Sequence, residues 1–212
     1  MRRLPVYLVL DVSGSMQGEP IEAVRQGVQL LISTLRKDPY ALETAALSVI
    51  LFDAKARQAV PLTELMAFQA PKIEAGSTTS LGAALELTKT CIEREVQKTT
   101  ADAKGDWKPL VFIMTDGHPT DDWRRGLDVF RQAKTGLVIA CGAGPDADTT
   151  VLKTITEAVV SLDTADSSTI GAFFKWVSAS ISTSSKKVDL TKADSSEINE
   201  LPPPPPQINL VT

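Results

Sequence analysis

Two aspartates follow apolar runs that are typical of buried strands. Asp11 comes directly after residues 6–10, and Asp116 follows residues 110–114 after one threonine. Continuous apolar runs indicate strands buried on both faces of a parallel sheet, and ligands of such sheets bind beyond the carboxyl ends of the strands. If the two strands are neighbours, their carboxylates converge in one crevice. Buried carboxylates at short range repel each other, and a divalent cation between them would remove that conflict.

Hydroxyl groups occur near both aspartates. Ser13 and Ser15 alternate along the turn after Asp11, and residues 76–80, Gly-Ser-Thr-Thr-Ser, precede a predicted helix. Carboxylate, hydroxyl and water oxygens suit magnesium, which requires near-octahedral oxygen coordination, and manganese would also fit. Either aspartate alone is explained by ordinary turn chemistry. The pair together with the hydroxyls favours a metal site.

The histidine and cysteine content excludes the common zinc sites. The chain has one histidine, His118, and two cysteines, Cys91 and Cys141. These are too few for a four-thiolate site or a site with several imidazoles. With 22 basic and 26 acidic residues, the net charge of −4 also argues against a nucleic-acid partner. A metal in this protein must therefore be held mainly by oxygen.

Predicted strands alternate with helical patterns along the chain. Residues 47–52 and 58–62 are typical of a hairpin, and Thr120 with the two acids after it is typical of a capped helix start. Alternation of this kind predicts an α/β fold: a doubly wound, mostly parallel six-stranded sheet with one antiparallel edge strand and helices on both faces.

The apolar periodicity ends near Ser182. We therefore expect a domain over residues 1–182 and a flexible polar tail over residues 183–212, which contains a run of five prolines at 202–206. No apolar stretch is long enough to cross a membrane, and the N-terminal apolar run is too short for a signal peptide. These features predict a cytoplasmic protein with no membrane partner.

Three segments resemble the metal-ion-dependent adhesion site of von Willebrand factor A domains. They are Asp-Val-Ser-Gly-Ser at 11–15, the segment 76–85, and Thr-Asp-Gly at 115–117. The resemblance implies a Rossmann-like sheet that binds one Mg²⁺ at its top. Counting back from Ala84 in the helix selects Thr79 as the threonine ligand, and counting forward from Gly76 selects Thr78. The implied metal ligands are Asp11, Ser13, Ser15, Thr79 and Asp116.

Within that family, the chain resembles bacterial stand-alone TerY-type proteins. Those are associated with tellurite resistance and the stress response. The resemblance implies a protein partner that supplies an Asp or Glu carboxylate to the metal. It also implies a link to a PP2C-type phosphatase and a protein-kinase-like protein.

Two functions from different classes are compatible with these residues. The favoured one is a noncatalytic, Mg²⁺-dependent protein-interaction module. The alternative is a metal-dependent phosphoester hydrolase that uses the same acids, with His118 as the candidate base. The sequence contains neither the Gly-x-Ser-x-Gly elbow nor a P-loop motif, so nucleophilic and nucleotide-based mechanisms of those types are excluded.

Overall fold

The computed structural model describes residues 2–191 and 200–211. Helices and strands alternate along most of this part of the chain. In chain order, the elements are β1 (Leu4–Asp11), α1 (Glu19–Leu35), α2 (Pro39–Thr44), β2 (Ala45–Phe52), β3 (Ala56–Glu64), α3 (Leu81–Glu95), β4 (Leu110–Thr115), α4 (Trp123–Phe130), β5 (Leu137–Ala143), α5 (Thr149–Ile155), β6 (Val159–Leu162), α6 (Ser167–Thr191) and β7 (Asn209–Leu210).

The described strands form one sheet in the order β3-β2-β1-β4-β5-β6-β7. Strands β2, β1, β4, β5 and β6 are parallel, and β3 is antiparallel at one edge. The predicted α/β class, with its mostly parallel sheet and antiparallel edge strand, is confirmed. The structure adds β7, a two-residue strand antiparallel to β6. Because β1 lies between β2 and β4, the strand order reverses there, which is where such sheets bind ligands.

The central strands are buried on both faces. Every residue of β1, β2 and β4 is buried, which is why these strands are almost entirely apolar and do not alternate. Side chains such as Leu8 pack on one face with α1 and α6, and side chains such as Val9 pack on the other with α3 and α4. This double packing fixes the carboxyl ends of β1 and β4 side by side.

The C-terminal part of the chain differs from the predicted flexible tail. Helix α6 continues past residue 182 to Thr191, and residues 200–211, which we call the strap, pack on the domain. Leu201 and Ile208 are buried, and Trp176 Nε1 donates a hydrogen bond of 2.8 Å to the carbonyl oxygen of Pro202. The carbonyl groups of a proline segment are not used in helix or strand pairing and can accept hydrogen bonds. Because such a segment has no helical or strand periodicity, the sequence pattern does not show that Leu201 and Ile208 are buried. Residues 192–199 of the predicted tail lie outside the described residues.

The strap is expected to contribute modestly to stability. Ile208→Ala should lower the free energy of unfolding by about 1–2 kcal/mol, less than the about 2–5 kcal/mol of a closed-core truncation, because a short strand can detach locally. The measurement is urea unfolding followed by tryptophan fluorescence. Leu210→Ala is the matched control, since Leu210 is 53% exposed and its loss should leave the midpoint unchanged. Equal effects of the two variants would contradict a docked strap.

Candidate metal centre

Asp11 and Asp116 lie at the carboxyl ends of two paired strands. Asp11 ends β1, and Asp116 follows β4 directly. The two side chains are buried, with 0% and 8% of Asp11 and Asp116 exposed. Neither carboxylate forms an ion pair with a lysine or arginine among residues 2–191 and 200–211. The fold therefore places two acids in one crevice without a protein cation to balance them.

Burial makes the charge on these carboxylates costly. It raises the pKa of Asp11 to about 6, against the lowering effect of hydrogen bonds from Ser13 and Thr115, and the nearby Asp116 carboxylate raises it further. Burial also raises the pKa of Asp116, although a hydrogen bond from Ser15 opposes that shift. A cation in this crevice would favour the charged form of both groups.

A chain of short hydrogen bonds joins the carboxylates to the serines. The Ser13 backbone N–H donates to Asp11 Oδ1 at 2.8 Å, and Ser15 Oγ donates to Asp116 Oδ1 at 2.8 Å. The two serine hydroxyls are 3.0 Å apart. Thr115, which the sequence analysis did not select, donates from Oγ1 to Asp11 Oδ2 at 2.5 Å. The four residues predicted as ligands in the segments 11–15 and 115–117 are thus close together: Asp11, Ser13, Ser15 and Asp116.

The segment 76–80 brings a threonine hydroxyl to the same place. Gly14 N donates to the Ser77 carbonyl oxygen at 2.7 Å, which joins the two loops. A Cβ atom at Gly117 would lie 3.9 Å from both Ser15 Oγ and Thr79 Oγ1. Thr79 is buried and Thr78 is exposed. Of the two candidates, the buried Thr79 therefore has its hydroxyl, like that of Ser15, next to Gly117.

The start of α4 differs from the prediction that Thr120 caps this helix. Asp122, not Thr120, caps α4, with its side chain accepting from Arg125 N. Thr120 instead bonds the backbone of Thr79, and Asp121 accepts from backbone groups at the start of α3. These contacts join residues that are 38 to 41 positions apart in the sequence. No local pattern could have identified them.

His118, two residues after Asp116, is exposed and lies near Asp148. Its side chain is 71% exposed, and its Nε2 atom is 3.7 Å from Asp148 Oδ2. The Ser13 hydroxyl is paired with Ser15 rather than with this imidazole. The arrangement gives His118 a surface ion pair when it is protonated, and it does not form a serine–histidine pair.

The donor set fits a small, hard cation. Two carboxylates and three hydroxyls are oxygen ligands of the kind that Mg²⁺ takes, with water completing the shell. No group of three or more His, Cys, Asp or Glu residues with metal-ligand geometry occurs in the described part of the chain. An ion here would therefore depend on the serine and threonine oxygens.

No helix within the described ranges is long and apolar enough to cross a membrane.

Comparisons with known proteins give one family and one fold. The model of the von Willebrand factor type A domain matches residues 6–175. An uncharacterised protein of Synechocystis sp., sll0103, is 32% identical over 125 residues, which are 55% of this chain and 26% of the relative. The matched region is thus about a quarter of that relative's length.

Two solved structures illustrate the shared fold. A von Willebrand factor type A protein from Catenulispora acidiphila superposes with a TM-score of 0.64 at 17% identity, over 86% of this chain and 43% of that one. Proximal thread matrix protein 1 of the mussel byssus was solved with zinc in its metal-ion-dependent adhesion site (MIDAS) motif. It gives a TM-score of 0.60 at 20% identity, over 84% of this chain and 48% of that one. This chain spans less than half of either structure.

Proposed function

Since this chain belongs to the von Willebrand factor type A domain family, we propose that it is a noncatalytic protein-interaction module that needs a divalent cation. The observation that carries the proposal is a pair of buried carboxylates that have no lysine or arginine partner among the described residues and lie near the hydroxyls of Ser13, Ser15 and Thr79. The residues proposed to hold the ion are Asp11, Ser13, Ser15, Thr79 and Asp116.

Mg²⁺ is the proposed ion, and Mn²⁺ is the closest substitute. When bound, it would supply a positive coordination position that an Asp or Glu carboxylate of a partner protein can complete. The chain's own residues make this site accessible, because Ser15 is exposed while the two carboxylates are buried. Removal of the ion would leave facing acids that repel the partner's carboxylate, which makes the contact switchable.

The geometry favours binding over hydrolysis of a phosphoester. A hydrolase would need a base or nucleophile within hydrogen-bond reach of the reacting atoms. His118, the candidate base, faces Asp148, and the Ser13 and Ser15 hydroxyls are engaged with each other and with Asp116. The side chains around the site therefore support a noncatalytic role.

A cellular role follows from the resemblance to TerY-type proteins. It supports a scaffold or regulator in a bacterial tellurite-resistance or stress-response system, with a PP2C-type phosphatase and a protein-kinase-like protein as partners. Cys91 and Cys141 are free and buried, which is consistent with the reducing cytoplasm. We propose this location and these partners together.

Alanine substitutions at Thr79 and Thr78 test which threonine binds the ion. Thr79→Ala is expected to weaken Mg²⁺ binding by more than about 10-fold, since outer-shell contacts alone are worth about 10–100-fold. Thr78→Ala, at the adjacent exposed position, should leave the Kd unchanged. Isothermal titration of both variants with Mg²⁺ provides the measurement. A larger loss in Thr78→Ala would show that the ligand had been assigned to the wrong threonine.

Selection of peptides tests the interaction role without a known partner. A phage-displayed random peptide library is bound to the immobilised chain in Mg²⁺ and eluted with EDTA. We expect the eluted peptides to be enriched in Asp or Glu, and we expect Asp116→Ala to yield no enrichment. Peptides without an acidic residue, or binding that EDTA leaves intact, would refute the metal-bridged contact.

A further inference from the structure

Two loops meet above the carboxyl ends of β1 and β4. We call residues 76–80 the threonine loop and residues 116–122 the aspartate loop. Thr120 in the aspartate loop makes three hydrogen bonds to the backbone of Thr79. Its hydroxyl accepts from Thr79 N at 3.1 Å and donates to Thr79 O at 3.1 Å, and its N–H donates to Thr79 O at 2.8 Å. The backbone that carries the Thr79 hydroxyl is therefore held by the loop that carries Asp116.

Asp121 fixes the other end of the threonine loop. Its Oδ1 accepts from Gly82 N at 3.0 Å and its Oδ2 from Ala83 N at 2.9 Å. These N–H groups belong to the first turn of α3, which starts at Leu81 directly after the loop, and such groups have no partner within the helix. A Cβ at Gly82 would lie 2.7 Å from the Asp122 carbonyl oxygen. The first turn of α3 thus packs against the aspartate loop without space for a side chain at position 82.

We propose that Thr120 and Asp121 are positioning residues for the metal centre. This inference rests on the proposed function, because it assumes that Thr79 is a metal ligand. Thr120 and Asp121 tie the Thr79 backbone and the start of α3 to the aspartate loop. These contacts hold the Thr79 hydroxyl at a fixed place relative to Asp116. Loss of either contact releases the threonine loop and lowers the affinity for the ion.

The surroundings of Thr120 separate this role from general stability. The Thr120 side chain is exposed, so its replacement by valine opens no cavity in the core. Asp122, the next acid along the chain, is a matched control because it caps α4 by accepting one hydrogen bond of 3.3 Å from Arg125 N. Within the described residues, the Asp122 side chain forms no hydrogen bond with the threonine loop. Its loss is expected to affect α4 and not the ion.

The test is isothermal titration with Mg²⁺ alone of the EDTA-stripped full chain and four variants. Thr120→Val and Asp121→Ala are expected to raise the Kd by about 10- to 100-fold, the range for outer-shell partners of a metal site. Thr120→Ser keeps the hydroxyl and should restore the wild-type Kd. Asp122→Ala should lower the unfolding midpoint in EDTA and leave the Kd unchanged.

Two kinds of failure are distinguishable. A wild-type chain that takes up no Mg²⁺ would overturn the proposed function and this inference with it. A wild-type chain that binds Mg²⁺ with the same Kd as Thr120→Val and Asp121→Ala would overturn the positioning role alone. An equal rise of the Kd in Thr120→Ser or in Asp122→Ala would also overturn it, since neither change removes the contact between the loops. Unfolding midpoints in EDTA verify that every titrated variant is folded.

Discussion

Asp11→Asn is expected to stabilise the metal-free protein and to remove its response to Mg²⁺. Burial raises the pKa of Asp11 from 3.8 to about 6, and each pKa unit corresponds to about 1.36 kcal/mol between protonation states. Near neutral pH, the charged side chain therefore lowers the stability of the folded state by about 3 kcal/mol. Asparagine has the same size, keeps an acceptor for Ser13 N and carries no charge.

The pH dependence identifies the cause of this effect. Because the folded-state pKa lies above the unfolded value, the folded protein retains a proton on Asp11 that the unfolded chain releases. The free energy of unfolding in EDTA should therefore fall as pH rises through the window between 3.8 and about 6. Asp11→Asn should show a smaller fall, because only Asp116, whose pKa burial also raises, still contributes to it. The measurement is chemical denaturation across that window for both proteins.

Magnesium should reverse the order of the two proteins. A ligand at about 1,000 times its Kd adds about 4.1 kcal/mol to the stability of the form that binds it, which exceeds the cost of about 3 kcal/mol. We expect the wild-type chain to gain this amount and Asp11→Asn to gain none. If the variant were less stable than the wild type in EDTA near neutral pH, the inferred cost of the buried charge would be wrong.

Gly126→Ala is expected to destabilise the fold by about 3 kcal/mol, the upper part of the usual range for overpacking. A Cβ at Gly126 would lie 2.3 Å from the Gly82 carbonyl oxygen and 2.5 Å from Gly82 Cα. These are backbone atoms of α3, so no side-chain rotation can relieve the clash and the helices must separate. The loss is expected even though alanine favours a helix by about 1 kcal/mol over glycine. Urea unfolding in EDTA provides the measurement.

Gly171→Ala is the matched control for the same substitution. Gly171 lies in α6, and a Cβ there would have no atom within 4 Å. With no clash, the gain in helix propensity should raise the free energy of unfolding by about 0.5–1 kcal/mol. Opposite signs for the two variants would demonstrate the tight crossing of α3 and α4. Stabilisation by both would show that this crossing is looser than the structure indicates.

The sheet was predictable because its central strands are buried on both faces. That burial produces the continuous apolar runs of β1 and β4, and the hairpin residues supplied the antiparallel edge. Helix α2 was not predicted, since the six residues of Pro39–Thr44 are too few for an apolar period to emerge. The strap was not predicted because Leu201 and Ile208 are separated by prolines and show no period.

The candidate site was predictable where chemistry is local and not where it is built by tertiary contact. Asp11, Ser13 and Ser15 share one turn, and Asp116 ends an apolar strand, so residue type and position were enough to select them. The choice between Thr78 and Thr79 needed the loop geometry near Gly117. Helix-capping preferences predicted that Thr120 and the acids after it cap their own helix, whereas tertiary contacts direct Thr120 to Thr79 and Asp121 to the start of α3.

Crystals of the full chain soaked in Mn²⁺ would test the metal centre most directly. Mn²⁺ takes the oxygen ligands of Mg²⁺ and gives an anomalous signal. We predict one strong peak in the crevice, within about 2.0–2.6 Å of oxygen atoms from at least three of the five side chains, and no such peak in Asp11→Asn crystals. The side chains are those of Asp11, Ser13, Ser15, Thr79 and Asp116. A peak elsewhere, or an empty crevice at millimolar Mn²⁺, would contradict a divalent-metal site at this position.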